Sequence, residues 1–428
     1  MSPLTLPIVT IQPTFLEVVE EVRSGLVPFE TFWLSCYKSS EPSIHSKVRV
    51  SLDEVRRDVI HLEPSEKVQV KGTGKDNFTV SSDKLGIPET KILVPAHQYA
   101  DSDRANPQHP HRITAFDVAP DGSQFATGFL DGSVHIYGTA MEDPPAETAF
   151  GKPHKSTTTS LKFFPSSRVL LSAGADFSLC ILPADLSPAS RALTPARTLT
   201  GHRRSITSTA IVSRGRNVIS SSLDGTVQLW DVSSGEKIHV MSAGAGRFVP
   251  VTSISLGERG GVELTASTSV PPDPREVETA SKLLFCALQT GSFEAFDLGT
   301  KSPVYTSPAG TPLSAIAYSS DNHLLATGSS KGIVEIFDTR ALTAPVGSFT
   351  RSEAGIADLV FAADGESLLV STDDGLPFVA RVRADSPAEV VAELVGPDCD
   401  PVRSLRVVEK DVWSAADDGV VRRYTSAC

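Results

Sequence analysis

The chain has 428 residues, 40% hydrophobic and 21% charged, enough to bury a core and too apolar for a wholly disordered chain. With 39 Lys and Arg against 51 Asp and Glu, the formal net charge is −12. That balance argues against nucleic-acid or anionic-membrane binding and suits a basic protein partner. No apolar run reaches the ~18 residues of a membrane span, so none is expected.

The N-terminus, MSPLTLPIVTIQPTFLEVVEEV, lacks a basic region and soon turns acidic, which does not read as a secretory signal. Cys36, Cys180, Cys286, Cys399 and Cys428 are scattered and odd in number, so we expect reduced thiols in a cytosolic or nuclear protein. Asn77-Phe78-Thr79 fits a glycosylation sequon, which carries no weight without secretion. Thr14 to Glu17 reads as a capping box. Phe15, Leu16, Val18, Val19 and Val22 then form an apolar helix face opposite Glu17, Glu20 and Glu21, and Gly25 ends the helix. The strand-like runs PFETFWLSCY, KVRVSL, EKVQVKG and NFTVSS follow. Residues 1–88 are therefore expected to form a small α+β module, and residues 98–110 a loop.

From residue 89 onward the chain repeats. Gly201-His202 opens the clearest unit and Trp230-Asp231 closes it, the marks of one propeller blade. Within it Asp224-Gly225 precedes Trp230, and the same offset from turn to aromatic or apolar residue recurs along the chain. Turns at 131, 176, 224, 290, 331, 374 and 418 lead to Tyr137, Leu182, Trp230, Phe296, Phe337, Ala380 and Tyr424. All spacings are close to the period of a four-stranded blade except that from 224 to 290, which holds an insertion. Alternating strands such as ITAFDVAP and LSAIAYS precede each turn. The fold expected is all-β: a seven-bladed WD-repeat β-propeller over 89–428, preceded by the small N-terminal α+β module. The last repeat lacks an outer strand, and a strand at about 90–95 is expected to close the ring.

By repeat position His202, Ser222, Asp224 and Trp230 should form a structural hydrogen-bonded tetrad rather than a catalytic Ser-His-Asp set. The second repeat keeps His154 and Asp176 but has Gly174 and Leu182 at the other two positions. Lys71-Gly72-Thr73-Gly74-Lys75-Asp76 resembles a phosphate loop only superficially, because Asp76 replaces the magnesium-binding hydroxyl. His109-Pro110-His111 has no further metal ligand beside it. No catalytic residue, cofactor or metal is assigned. In Asp373-Asp374 and Asp417-Asp418 the second Asp is the turn residue, and the first points from the rim of one propeller face. Asp398, Asp400 and Arg403 in GPDCDPVR precede the last inner strand and should lie near that face, and Glu353 joins them as a candidate.

TAIVSRGRNVISSSLDGTVQLWD (209–231), REVETASKLLFCALQTGSFEAFDL (275–298), VGPDCDPV and DGVVRRY together resemble the proteasomal ATPase-associated factor family. FWLSCYKSSEPSIHSKV also fits that family. The resemblance implies a non-catalytic assembly chaperone of the proteasome regulatory particle base. Such a protein binds the C-terminal domain of a proteasomal ATPase subunit, delays its docking on the core particle, and is a monomer when free. The alternative from the residues alone is a generic WD-repeat scaffold, or a substrate receptor of another complex such as a ubiquitin ligase. The partner-binding residues expected are Asp373, Asp417, Asp398, Asp400, Glu353 and Arg403.

Overall fold

Apolar alternation bounded by Asp-Gly turns dictates antiparallel hairpins, and the computed structural model shows four-stranded sheets built this way. It describes residues 3–53, 59–65, 67–72, 78–100, 111–140, 147–185, 192–259, 273–397 and 399–425. Ile113–Val118, Gln124–Phe129, Val134–Gly138 and Glu147–Gly151 form the first sheet of the repeat in chain order. The pattern recurs over 158–200, 206–242, 251–306, 313–350 and 356–394. The last unit supplies three strands of its own, Val402–Val408, Asp411–Ala416 and Val420–Tyr424. Inner strands of successive sheets lie side by side, and the last packs against the first. This closed ring is a β-propeller, and its blades are numbered below in chain order.

The missing outer strand of the seventh blade is His97–Ala100, antiparallel to Val420–Tyr424. The strand expected at about 90–95 therefore lies further along, in the stretch expected to be a loop. Lys91, Ile92 and Leu93 pair instead, in parallel, with Ala392, Glu393 and Leu394 of the sixth blade. Aromatic packing accounts for the choice. Tyr99 stacks on Trp413 of the seventh blade, with ring centroids 5.7 Å apart, and reaches Phe125 of the first at 5.1 Å. Ile92 is buried in the N-terminal core. On the inner strands Arg406 completes the closure. Its Nε donates to Asp117 on the first blade (2.6 Å) and its Nη1 to Asp358 on the sixth (3.0 Å).

The N-terminal helix, Phe15–Arg23, buries Phe15, Val18, Val19 and Val22 against the sheet of Ile8–Ile11, Phe29–Tyr37, Ile44–Leu52 and Ile60–Pro64. No capping box forms. Thr14 has ψ 16°, not the extended backbone of a capping residue, and its hydroxyl accepts from Gln12 Nε2 at 2.9 Å. This region shares sheets with the propeller. Leu4–Thr5 adds a parallel fifth strand to the fifth blade, beside Gly347–Thr350. Ile87–Leu93 is continuous across the boundary expected at 88 and links the hairpin of Gln69–Gly72 and Phe78–Ser82 to the sixth blade.

A buried ion pair locks this junction. Arg351 and Glu393 pair through Nη2 and Oε1, with side chains only 4% and 5% exposed. Glu393 also accepts from the Val9 N–H at 3.0 Å, and Arg351 Nε donates to the Pro7 carbonyl at 2.9 Å. The guanidinium lies 4.3 Å over the Phe378 ring. The insertion falls between the two innermost strands of the fourth blade, and its described part, 273–281, docks on the third. There Val277 N–H donates to Asn217 Oδ1 at 2.8 Å, while Glu276 ties the segment back to the fourth blade by pairing with buried Lys301 at 2.8 Å.

Candidate interaction surface

The most conspicuous chemistry-bearing residues in the sequence are used internally. His202 Nδ1 lies 3.0 Å from Asp224 Oδ2, and its Nε2 lies 2.8 Å from Ser220 Oγ. Trp230 Nε1 donates to the same Ser220 hydroxyl at 2.9 Å. The serine of the tetrad is thus Ser220, not Ser222. Both project from one side of the strand, two residues apart, but only Ser220 sits diagonally across from Trp230. Ser222 instead donates to the Arg204 carbonyl and accepts from the Asp224 N–H, both at 3.0 Å. The second blade is corrected in the same way. Ser172 Oγ lies 2.7 Å from His154 Nε2 and Asp176 Oδ1 lies 3.1 Å from Nδ1, so only the tryptophan is replaced there.

Burial alone would raise the Asp224 pKa. Hydrogen bonds from His202, Thr226 and the Arg203 N–H outweigh it and hold the carboxyl well below the usual range. Burial lowers His154 against the opposing pull of Asp176. Ser220 is fully buried and its hydroxyl is occupied on two sides, so it offers no nucleophile to a substrate. Burial also pushes the Cys36 thiol up to about 12 and that of Cys180 to about 11, far from reactive thiolates.

The rim is different. Arg403 Nε and Nη2 donate to the two Asp417 oxygens at 3.0 and 2.8 Å, while Nη1 donates to Asp373 at 2.8 Å. The hydrogen bonds to Asp417 above all raise the Arg403 pKa further. Three of the expected residues are therefore one cluster bridging the sixth and seventh blades. Asp417 is buried and committed to the bridge, whereas the Asp373 side chain is 48% exposed. Glu353 is exposed on the neighbouring loop, where Ser352 Oγ donates to Asp374 at 2.7 Å. Asp400 lies on the loop against Gly375, whose φ of +73° and contact with Cys399 and Asp400 backbone leave no room for a side chain. Asp398 lies outside the described residues, as do 73–77, His109 and Pro110. His111 packs edge-on to Phe129.

Sequence reasoning missed an apolar hollow of about 590 Å³ beside this rim, where the N-terminal sheet meets the sixth and seventh blades. Pro95, Leu376, Pro397, Cys399 and the half-exposed Trp33 line it. Its walls come from segments remote in sequence, so no local pattern signals it. Through the ring runs a channel of about 770 Å³, lined by hydroxyls and by Lys162, Arg403 and Arg406.

The model of the WD domain, G-beta repeat, matches residues 104–138, 193–231 and 301–338. Proteasomal ATPase-associated factor 1 of Homo sapiens is 30% identical over 304 residues, covering 52% of this chain and 76% of the human protein. The chain belongs to the proteasomal ATPase-associated factor family. The protein of the same name from Gallus gallus is 30% identical over 175 residues, 41% of this chain and 43% of that protein, less than half its length. The 26S proteasome regulatory subunit RPN14 of Saccharomyces cerevisiae is 29% identical over 283 residues, 64% of this chain and 66% of that protein. Of the segments that carried the resemblance to this family, 209–231 supplies most of the three inner strands of the third blade, and Cys399 and Asp400 of GPDCDPV pack on the Gly375 turn beside the Asp373–Arg403–Asp417 bridge.

Proposed function

We propose that the chain is a non-catalytic assembly chaperone of the proteasome regulatory particle base, acting in the cytosol and nucleus. It is a seven-bladed propeller with an N-terminal α+β module, monomeric when free. It binds the C-terminal domain of a proteasomal ATPase subunit and delays docking of that subunit on the core particle. The single observation that carries this reading is membership of a family whose relatives are named as a proteasomal ATPase-associated factor and a 26S proteasome regulatory subunit. The Ser-His-Asp set supports a non-catalytic role, since all three groups are engaged in a buried clasp.

The rim of the sixth and seventh blades is the docking face. Asp373, Glu353 and Asp400 present negative charge, which speeds encounter with a basic domain and selects among partners. Arg403 and Asp417 hold the turns in place, and the adjoining hollow with Trp33 supplies the apolar contact that a stable interface needs. The test is a binding assay of the full chain against each separately expressed ATPase C-terminal domain. One domain should bind, and Asp373→Lys with Glu353→Lys should weaken it at least ~10-fold and flatten its salt dependence. No binding to any domain at micromolar concentration refutes the chaperone reading and leaves the scaffold alternative. Binding that ignores both reversals moves the partner off this rim.

A further inference from the structure

In the third blade the clasp histidine stands four residues before the first residue of the inner strand, at His202 before Ile206. His154 holds the same place before Thr158 in the second blade. Ser352 holds it before Ile356 in the sixth, and its hydroxyl reaches Asp374. In the fifth blade the position before Leu313 is Ala309. The equivalent of Ser220 is Thr327, the equivalent of Gln228 is Glu335, and Phe337 takes the place of Trp230.

Two substitutions have therefore removed both partners of one hydroxyl. Thr327 is 2% exposed, and its Oγ1 is buried without a hydrogen-bond partner among the described residues. A native structure rarely leaves such a group orphaned. Where the imidazole would sit is a cavity of about 470 Å³ between the fourth and fifth blades, lined by Ala309, Thr327, Glu335, Phe293, Tyr305 and Phe337. Glu335 is half-buried in its wall, and burial raises its pKa above the ordinary carboxylate value. Lys331, at the Asp224 position, is exposed. Gly310 N–H donates to the Thr290 carbonyl at 3.3 Å, so the loop carrying Ala309 is tied to the Asp-Gly-type turn of the fourth blade.

We propose that this vacated clasp is a binding site for a cationic nitrogen group of the imidazolium or guanidinium class. One N–H of the ligand donates to Thr327 Oγ1 and a second to the Glu335 carboxylate. The Phe293, Tyr305 and Phe337 rings give it apolar and cation–π contact. The site is separate from the acidic rim of the sixth and seventh blades and does not rest on the chaperone reading. The chemistry fits the side chain of a partner polypeptide or a free organic base.

The test titrates imidazolium chloride at pH 6 into the full chain, with sodium chloride as the ionic control, and follows resonances of Thr327 and Leu313. Saturable shifts at these residues are expected. Ala309→His fills the cavity from within and should abolish them, while Glu335→Gln should weaken binding ~10-fold or more. N-acetylhistidine methylamide binding tighter than imidazole assigns the source to a polypeptide side chain, and the reverse order assigns it to a free base. Absence of saturable shifts in the parent chain overturns the proposal. If Ala309→His does not fold, Glu335→Gln decides alone, and unchanged affinity in that variant overturns it.

Discussion

Replacing Glu393 by Gln tests how the N-terminal region is held to the propeller. The amide keeps the size of the side chain and an oxygen for the Val9 N–H, but removes the charge opposite Arg351. Breaking a buried ion pair by removing one partner costs about 3–5 kcal/mol, because the remaining ion stays buried. Arg351 retains the Pro7 and Leu376 carbonyls and the face of Phe378, which places the expected loss near the lower end, about 3 kcal/mol. That corresponds to roughly two decades in the folding equilibrium. Arg351→Met together with Glu393→Gln leaves a neutral, well-filled site, and the double variant should be more stable than Glu393→Gln alone. Urea unfolding followed by fluorescence of Trp33, Trp230 and Trp413 reads the loss, and limited proteolysis reads release of the first strands. A cost below about 1 kcal/mol for Glu393→Gln, or strict additivity in the double variant, would refute the buried-lock argument.

Two further outcomes follow from the clasps. Ser220→Ala strands the His202 and Trp230 nitrogens and should cost about 2–3 kcal/mol, whereas Ser222→Ala should cost about 1 kcal/mol, as measured by urea denaturation. The reverse ranking would return the tetrad to Ser222. Stability should also fall on acidification in two stages. The folded His154 pKa lies below its ordinary value, so the unfolded chain protonates first and stability drops as pH falls below ~6.5. The folded Asp224 and Asp176 pKa values are depressed, so their contribution is present above ~3.9 and lost as pH falls from there. In His154→Gln the first stage should shrink while the second persists, and an unchanged profile between pH 7 and 5 would count against it.

The sequence displayed the repeat well because each blade solves one local problem. A turn with positive φ needs Gly225, whose Cβ would fall 2.1 Å from the Phe248 carbonyl carbon, and a fixed number of residues then separates it from the packed Trp230. Such offsets survive when individual residues change. The choice between Ser220 and Ser222 was not legible, because both obey the same alternation and only cross-strand register separates them. The attachments of Leu4–Thr5 and of Lys91, Ile92 and Leu93 were hidden for a different reason. They are parallel pairings to distant edges, with no turn between partners to announce them. The bridge of Asp373, Arg403 and Asp417 was half-visible. The residues were recognisable, but the extent to which Arg403 neutralises the two acids depends on distances that only the fold sets.

Closing the seventh blade with His97–Ala100 has a consequence for biosynthesis. Val420 pairs with Ala100, so a strand emerging early from the ribosome must wait for a partner 320 positions later. At ~5–20 residues per second the wait is roughly 16–64 s, during which the segment has no native edge to join. Pairings of such long sequence separation also form slowly once both partners exist. The nascent chain thus spends its synthesis as an open arc with two unpaired edges, the state most exposed to wrong strand pairing. Grafting residues 97–100 behind Tyr424 through a short turn would make the last blade local, and should raise refolding yield more than equilibrium stability.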